Sequence, residues 1–94
     1  MSINWSTLAN NDLEEIIDYI LEQNASSAFT VYETIKQAVE KLPDYPRMGR
    51  IGRVRGTREL VITNTPFIVA YRVKKNTIEI LRVLHSSRKW PSSL

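Results

Sequence analysis

Apolar residues recur along this chain with two different periods. Leu13, Ile16, Ile17, Ile20 and Leu21 follow the i, i+3, i+4, i+7, i+8 spacing of one helical face. Ser6 or Thr7 is placed to cap that helix, and Asp12, Glu14 and Glu15 sit toward the end of the dipole that favours negative charge. The helix is expected to run to about Gln23. The same spacing returns at Ala28, Val31, Tyr32, Ile35, Ala38, Val39 and Leu42 until Pro43 ends it. Between the two, Asn24-Ala25-Ser26-Ser27 offers Asn24 for a left-handed stop and Ser26 or Ser27 as the next cap. A connector this short makes the pair an antiparallel hairpin.

From Glu59 onward the pattern changes to strands. Glu59 to Ile62, Phe67 to Val73 and Thr77 to Leu84 are rich in Val, Ile, Leu and aromatics, and Asn64-Thr65-Pro66 and Lys74-Lys75-Asn76 separate them. That is a meander of three antiparallel strands. Ile3 to Trp5 is β-prone and can add an edge strand, and Ile51 to Val54 can form a short one inside the arginine-rich loop from Asp44 to Gly56. No repeat or linker divides residues 1–94, so one domain is expected. Its class is α+β, an N-terminal antiparallel helix hairpin packed on a C-terminal antiparallel β-sheet. The strands are apolar in both alternation phases, Val69 and Tyr71 against Ile68 and Ala70, whereas a sheet with one wet face should alternate. A second protein or a dimer mate is therefore expected over the outer face.

Charge sharpens the picture. Residues 1–46 hold eight acids and two lysines, and residues 47–94 hold eleven bases and two acids, so halves of −6 and +9 make up the net +3. Such asymmetry points the C-terminal half at something anionic, nucleic acid or an acidic protein segment. The plainer alternative, basic strands beside acidic helices, would consist mostly of weak surface pairs. Ninety-four residues leave no room for two lobes around a deep small-molecule cleft. With no cysteine, a disulfide framework and a thiolate metal site are both excluded. No basic leader precedes an apolar run and no window approaches a membrane span, so a soluble cytoplasmic protein is expected.

Candidate chemistry is sparse. His85, the sole histidine, ends the last strand with Arg82 and Arg88 nearby, a candidate acid/base beside phosphate-stabilising cations. A lone histidine at a strand end is more often a hydrogen-bonded structural group, since acid/base catalysis needs a second positioned partner. One histidine without clustered carboxylates makes no metal site, and no cofactor is expected. Gly49, Gly52 and Gly56 have the wrong spacing for a phosphate loop. Arg47, Arg50, Arg53 and Arg55 can grip phosphates or an acidic peptide, with Tyr45 and Trp90 as stacking groups. Against that, Trp90 before Pro91 more often pins a chain end over the core. Arg72 and Arg82, inside apolar strands, must face solvent or a partner, or pair with Glu59 and Glu79.

Three strings carry a resemblance: Arg55-Gly56-Thr57-Arg58-Glu59-Leu60-Val61; Thr65-Pro66-Phe67-Ile68-Val69 followed by Tyr71-Arg72-Val73; and Ile80-Leu81-Arg82-Val83-Leu84-His85 followed by Arg88 and Trp90-Pro91. With the Asp12-Leu13 and Tyr19-Ile20 helix pair before them, the chain resembles the RelE/ParE superfamily of bacterial type II toxin–antitoxin toxins. The resemblance implies a plasmid- or chromosome-borne toxin held in a hetero-oligomer by a cognate antitoxin with an acidic or amphipathic tail. RelE-like members cut mRNA on the ribosome, and ParE-like members poison DNA gyrase. Ile68 stands where the RelE branch tends to carry arginine, and Ser86 and Ser87 follow His85 with no tyrosine nearby, so the chain resembles the ParE branch more. The resemblance thus implies a non-catalytic gyrase toxin whose target surface includes Arg58, Arg72, Arg82, His85, Arg88 and Trp90. Its alternative is a ribosome-dependent endoribonuclease with His85 as acid/base and Arg58 and Arg82 as phosphate clamps.

Overall fold

A computed structural model describes residues 1–94. In chain order the elements are β1 (Ser2–Trp5), α1 (Thr7–Leu21), α2 (Ala25–Glu40), β2 (Arg50–Ile51), β3 (Arg58–Val61), β4 (Phe67–Lys74) and β5 (Thr77–His85). Two helices cover one face of a five-stranded sheet of order β1-β5-β4-β3-β2. The expected meander forms its centre, with β3, β4 and β5 antiparallel. The expected edge strand at the amino end exists, but it runs parallel to β5, pairing Ile3 with Ile78 and Trp5 with Ile80. α1 crosses between β1 and the rest of the chain, so this connection need not be a tight hairpin. β2 is two residues long and begins at Arg50, shorter than the Ile51 to Val54 segment expected. No helix is long and apolar enough to cross a membrane.

The first helix starts at its expected cap, whereas the second is capped by Asn24 and not by Ser26 or Ser27 as expected. Ser6 caps α1, its Oγ accepting from the Ala9 amide, and it also donates to the Leu81 carbonyl. Asn24 is extended, not left-handed: its Oδ1 accepts from the Ser26 and Ser27 amides, so it begins α2 instead of ending α1. The first turn of α1 contains no acid. Asp12 falls in the second turn, where its partner is a strand and not the helix dipole.

The helix-facing core joins Ala9 and Leu13 of α1, Ile35 and Val39 of α2, and Leu60, Val69, Tyr71, Ile78, Ile80 and Val83 of the sheet. Alternation sends Ile68 and Ala70 to the other face, and both are buried there as well. The expectation that a second protein must cover this outer face is therefore corrected. Their burial arises within the chain itself; on this face Glu59 holds Arg50 and Arg53, and Trp90 of the C-terminal tail stacks on Arg53. Exposed large apolar side chains include Leu8, Tyr19, Leu21, Phe29 and Tyr32 on the helices, Met48 and Ile51 at the β2 edge, and Val61, which stays half-exposed on the same face as Ile68.

Candidate functional site

Beyond the Trp5–Ile80 pair, β1 no longer flanks β5, and the open edge of β5 is finished by α1. Ser6 donates to the Leu81 carbonyl, and the Val83 amide donates to Asp12 Oδ2 at 3.0 Å. The same carboxylate accepts from Arg82 Nε at 2.7 Å and Nη2 at 3.0 Å. This fork-to-fork geometry raises the Arg82 pKa above its ordinary value, mainly through the hydrogen bonds from Asp12, against the opposing effect of burial. Arg82 was expected to reach solvent or to pair with Glu59 or Glu79. Its partner is an acid seventy residues away on the facing helix, which strand periodicity does not reveal.

Arg72 pairs with Glu79 directly across the β4–β5 ladder. Arg58 donates from Nη1 to the Gly49 carbonyl at 2.8 Å, tying the loop before β2 to the sheet. Beside it the buried Tyr71 hydroxyl donates to the Pro46 carbonyl at 2.8 Å and accepts from the Gly49 amide at 2.9 Å. Burial raises the Tyr71 pKa, against lowering by the Gly49 bond and by Arg58.

His85 packs edge-on against Phe67, ring centroids 5.7 Å apart. Its Nδ1 accepts from the Ser87 amide at 3.1 Å and lies 2.7 Å from Ser87 Oγ. Because a backbone N–H can only donate, the neutral imidazole carries its proton on Nε2. Nε2 is then a donor, not the free lone pair a general base requires. His85 and Arg88 line one wall of a cleft of ≈ 620 Å³ whose opposite wall is Asp12, Glu15 and Tyr19 of α1.

The three groups a nuclease would bring together are dispersed. Arg58 lies opposite Tyr71 and His85 opposite Phe67, four residue steps apart on β4, about 13 Å along the strand, with β4 itself in between. Arg82 is on β5, engaged with Asp12.

From the sequence Glu59 was expected as a candidate partner of Arg72 or Arg82; its partners are Arg50 and Arg53. In the structure it is 2% exposed, and its two oxygens accept from Arg50 Nε and Nη2 and from Arg53 N, Nε and Nη2 at 2.8–3.3 Å. Arg53 in turn lies 3.8 Å from the centroid of Trp90. The indole Nε1 is buried without an acceptor, so stacking and buried area hold Trp90 in place. Trp90 does pin the tail, as a Trp-Pro chain end suggests, but onto Arg53 over the outer face. The signal for this cluster was available in outline: one acid beginning a strand directly after an arginine-rich loop.

Burial of the Glu59 carboxyl pushes its pKa up, but the hydrogen bonds from the Arg53 side chain and backbone and from Arg50 outweigh that, leaving it at about 2. The ordinary value is 4.5, so the unfolded chain binds the proton first as pH falls. The stabilisation is complete above about pH 5 and is lost as pH drops toward 2. Although the carboxylate is buried, its guanidinium partners are 57% and 43% exposed, so water screens the pair. With that screening the contribution is about 2 kcal/mol. Urea denaturation of wild type and Glu59→Gln should show a stability gap at pH 7 that closes between pH 5 and pH 2. A gap independent of pH would show that the charge of Glu59 is not what holds the loop.

Comparison with known proteins gives consistent matches. The model of the ParE toxin of type II toxin–antitoxin systems, parDE, matches residues 3–90. The Sinorhizobium fredii protein Y4kP is 40% identical over 92 residues, which are 98% of this chain and 95% of that protein. Toxin RelE2 of Caulobacter vibrioides is 32% identical over 84 residues, 89% of this chain and 93% of its own. Among solved structures, the chromosomal ParDE system from P. aeruginosa contains a chain that superposes with a TM-score of 0.84 at 31% identity, covering 90% of this chain and 95% of that one.

Proposed function

Since the chain belongs to the ParE toxin family of type II toxin–antitoxin systems, we propose that it is a non-catalytic toxin that inhibits DNA gyrase and is neutralised by a cognate antitoxin. The observation that carries the gyrase reading is the dispersal of Arg58, Arg82 and His85. Ribonucleolytic chemistry needs a base within hydrogen-bond reach of the attacking hydroxyl and cations around the same phosphate. Here one arginine is a strut to a backbone carbonyl, the other is neutralised by Asp12, and the imidazole presents a proton on Nε2. What remains is surface suited to binding, with Arg88 and His85 at one end of the sheet.

A purified toxin assayed in parallel for gyrase supercoiling and for cell-free translation tests the reading. Supercoiling should stop and translation should continue. Loss of translation with untouched supercoiling would replace this function with endoribonuclease activity. His85→Ala gives a second discriminator. A binding surface that loses one contact should weaken gyrase inhibition by about tenfold or less, the equivalent of roughly 1.4 kcal/mol. A nuclease would lose nearly all activity.

The antitoxin reading is supported by the exposed apolar side chains on the helix hairpin and by the basic C-terminal half. An acidic amphipathic segment complements both. Co-expression with the adjacent short reading frame should yield a stable complex and relieve toxicity. Harmless, soluble expression of the toxin by itself would argue against neutralisation.

A further inference from the structure

We propose that the β2–β3 loop and the C-terminal tail form one composite cation surface that binds the phosphate backbone of duplex DNA, with Trp90 as the residue that joins its two halves. This deepens the gyrase reading, in that the DNA held by the enzyme becomes a direct ligand of the toxin.

Chain topology alone keeps these segments apart. β2 carries Arg50, the loop after it Arg53 and Arg55, and the tail carries Lys89 some thirty-five residues later. After β5 the chain turns back: the Ser86 amide donates to the Pro66 carbonyl, and the Arg88 amide donates to the His85 carbonyl. Trp90 then stacks on Arg53, which brings Lys89 beside the loop. Glu59 is the one acid in contact with the arginines, so the four cations keep a net charge of +3.

Two features suit this surface to phosphate. First, Glu59 fixes both guanidiniums through Nε and Nη2, and Nη1 of each has no bond to the carboxylate. The side chains are ordered before any ligand arrives, so less entropy is lost on binding. Guanidinium N–H groups held in this way match the oxygens of a phosphodiester. Second, apart from Val61, half-exposed two residues along β3 from Glu59, the surface offers no apolar anchor of the kind a peptide partner uses. Ile51, 82% exposed, pairs with Arg58, whereas Arg50 pairs with Glu59, so strand alternation puts Ile51 on the opposite face from the cations. The Trp90 ring face is already occupied by Arg53. A row of oriented cations without hydrophobic seats reads backbone charge, not sequence.

The test is fluorescence anisotropy of a labelled duplex of arbitrary sequence with the full-length toxin and no gyrase, titrated over a range of salt. Binding should weaken linearly in log salt. Arg55→Gln and Lys89→Gln should each lower the slope by about one. Lys36→Gln, the same charge change beside Trp5 at the opposite edge of the sheet, should leave the slope unchanged. Trp90→Ala keeps every cation yet should weaken binding about tenfold by releasing the tail. The Arg55 and Lys89 variants, both at exposed positions, carry the test if Trp90→Ala does not fold. Absence of salt-dependent binding would overturn the proposal, as would an equal loss in Lys36→Gln. It would also be overturned if polyglutamate bound and the duplex did not, since that would assign the surface to an acidic protein. Because gyrase is absent, duplex binding without inhibition of supercoiling would count against the gyrase reading alone, and inhibition without duplex binding against this inference alone.

Discussion

Asp12→Ala is expected to destabilise the folded chain by about 3 kcal/mol, measured by urea denaturation at neutral pH. The size follows from what the carboxylate leaves behind. Arg82 would remain with its side chain 22% exposed, its hydrogen-bonded partner gone and only the weaker charge of Glu15 nearby, and the Val83 amide would lose its acceptor at an edge that no strand covers. Both groups would be starved at once, which is why the cost exceeds that of an ordinary surface pair. Asp12→Ala combined with Arg82→Met should recover a large part of the loss, because an apolar side chain of similar length needs no partner. The double variant also has a functional consequence. If Arg82 belongs to the scaffold, the rescued protein should inhibit gyrase like wild type. A stable double variant without inhibition would return Arg82 to the target surface. A cost below about 1 kcal/mol for Asp12→Ala would reduce the contact to a solvated pair.

That contact marks the limit of what periodicity can tell. Helix faces and strand runs were legible because each depends on residues a few positions apart: Leu13 and Ile35 face the core as their spacing requires, and β3, β4 and β5 pair as their turns suggest. The Arg72–Glu79 pair was equally accessible, since the β4–β5 hairpin sets both residues opposite each other. Asp12 with Arg82 was not, because the pairing depends on where β1 stops and how α1 crosses the exposed edge of β5. Counting apolar phases also misread the outer face. Ile68 and Ala70 do need cover, as their hydrophobicity demands, but alternation cannot say who provides it. The cover turned out to lie within the chain, where an Arg–Trp stack seats the tail against the basic loop. In the candidate site, residue types were visible and their commitments were not: Arg58, Arg82 and Trp90 each carry chemistry suited to a target, and each is held by a partner within the chain. Glu59, the group around which the basic loop is arranged, was the least conspicuous of all.

Gly49→Ala is the second large effect expected, a loss of about 3 kcal/mol. A methyl group at residue 49 would come within 2.7 Å of Tyr71 Cε1 and Oη and 2.9 Å of the Glu59 carbonyl oxygen. None of these can retreat cheaply. The Tyr71 ring is wholly buried and is held at its hydroxyl by Pro46 and by Gly49 itself, and the Glu59 carbonyl is backbone of β3. Relief therefore requires moving the loop, which breaks the Gly49–Tyr71 hydrogen bond and slackens the Arg58 strut on the Gly49 carbonyl. Gly56→Ala supplies the contrast. There nothing lies within 4 Å of the added methyl, but φ is +81°, so the cost is backbone strain of about 1 kcal/mol. Crowding and strain are separable by a further change: Tyr71→Phe removes the hydroxyl that the methyl would meet. In that background Gly49→Ala should cost clearly less than in wild type, although Tyr71→Phe is itself destabilising because it strips Gly49 N–H and the Pro46 carbonyl of their partner. Equal costs in the two backgrounds would mean that the ring Cε1 or the Glu59 backbone, not the hydroxyl, sets the limit on that loop. The reach of this pair extends to the basic surface. Gly49 directly precedes Arg50, so a displaced loop carries one of the two guanidiniums away from Glu59, and Trp90 fluorescence should report the loosening of the Arg53 stack alongside the loss of stability.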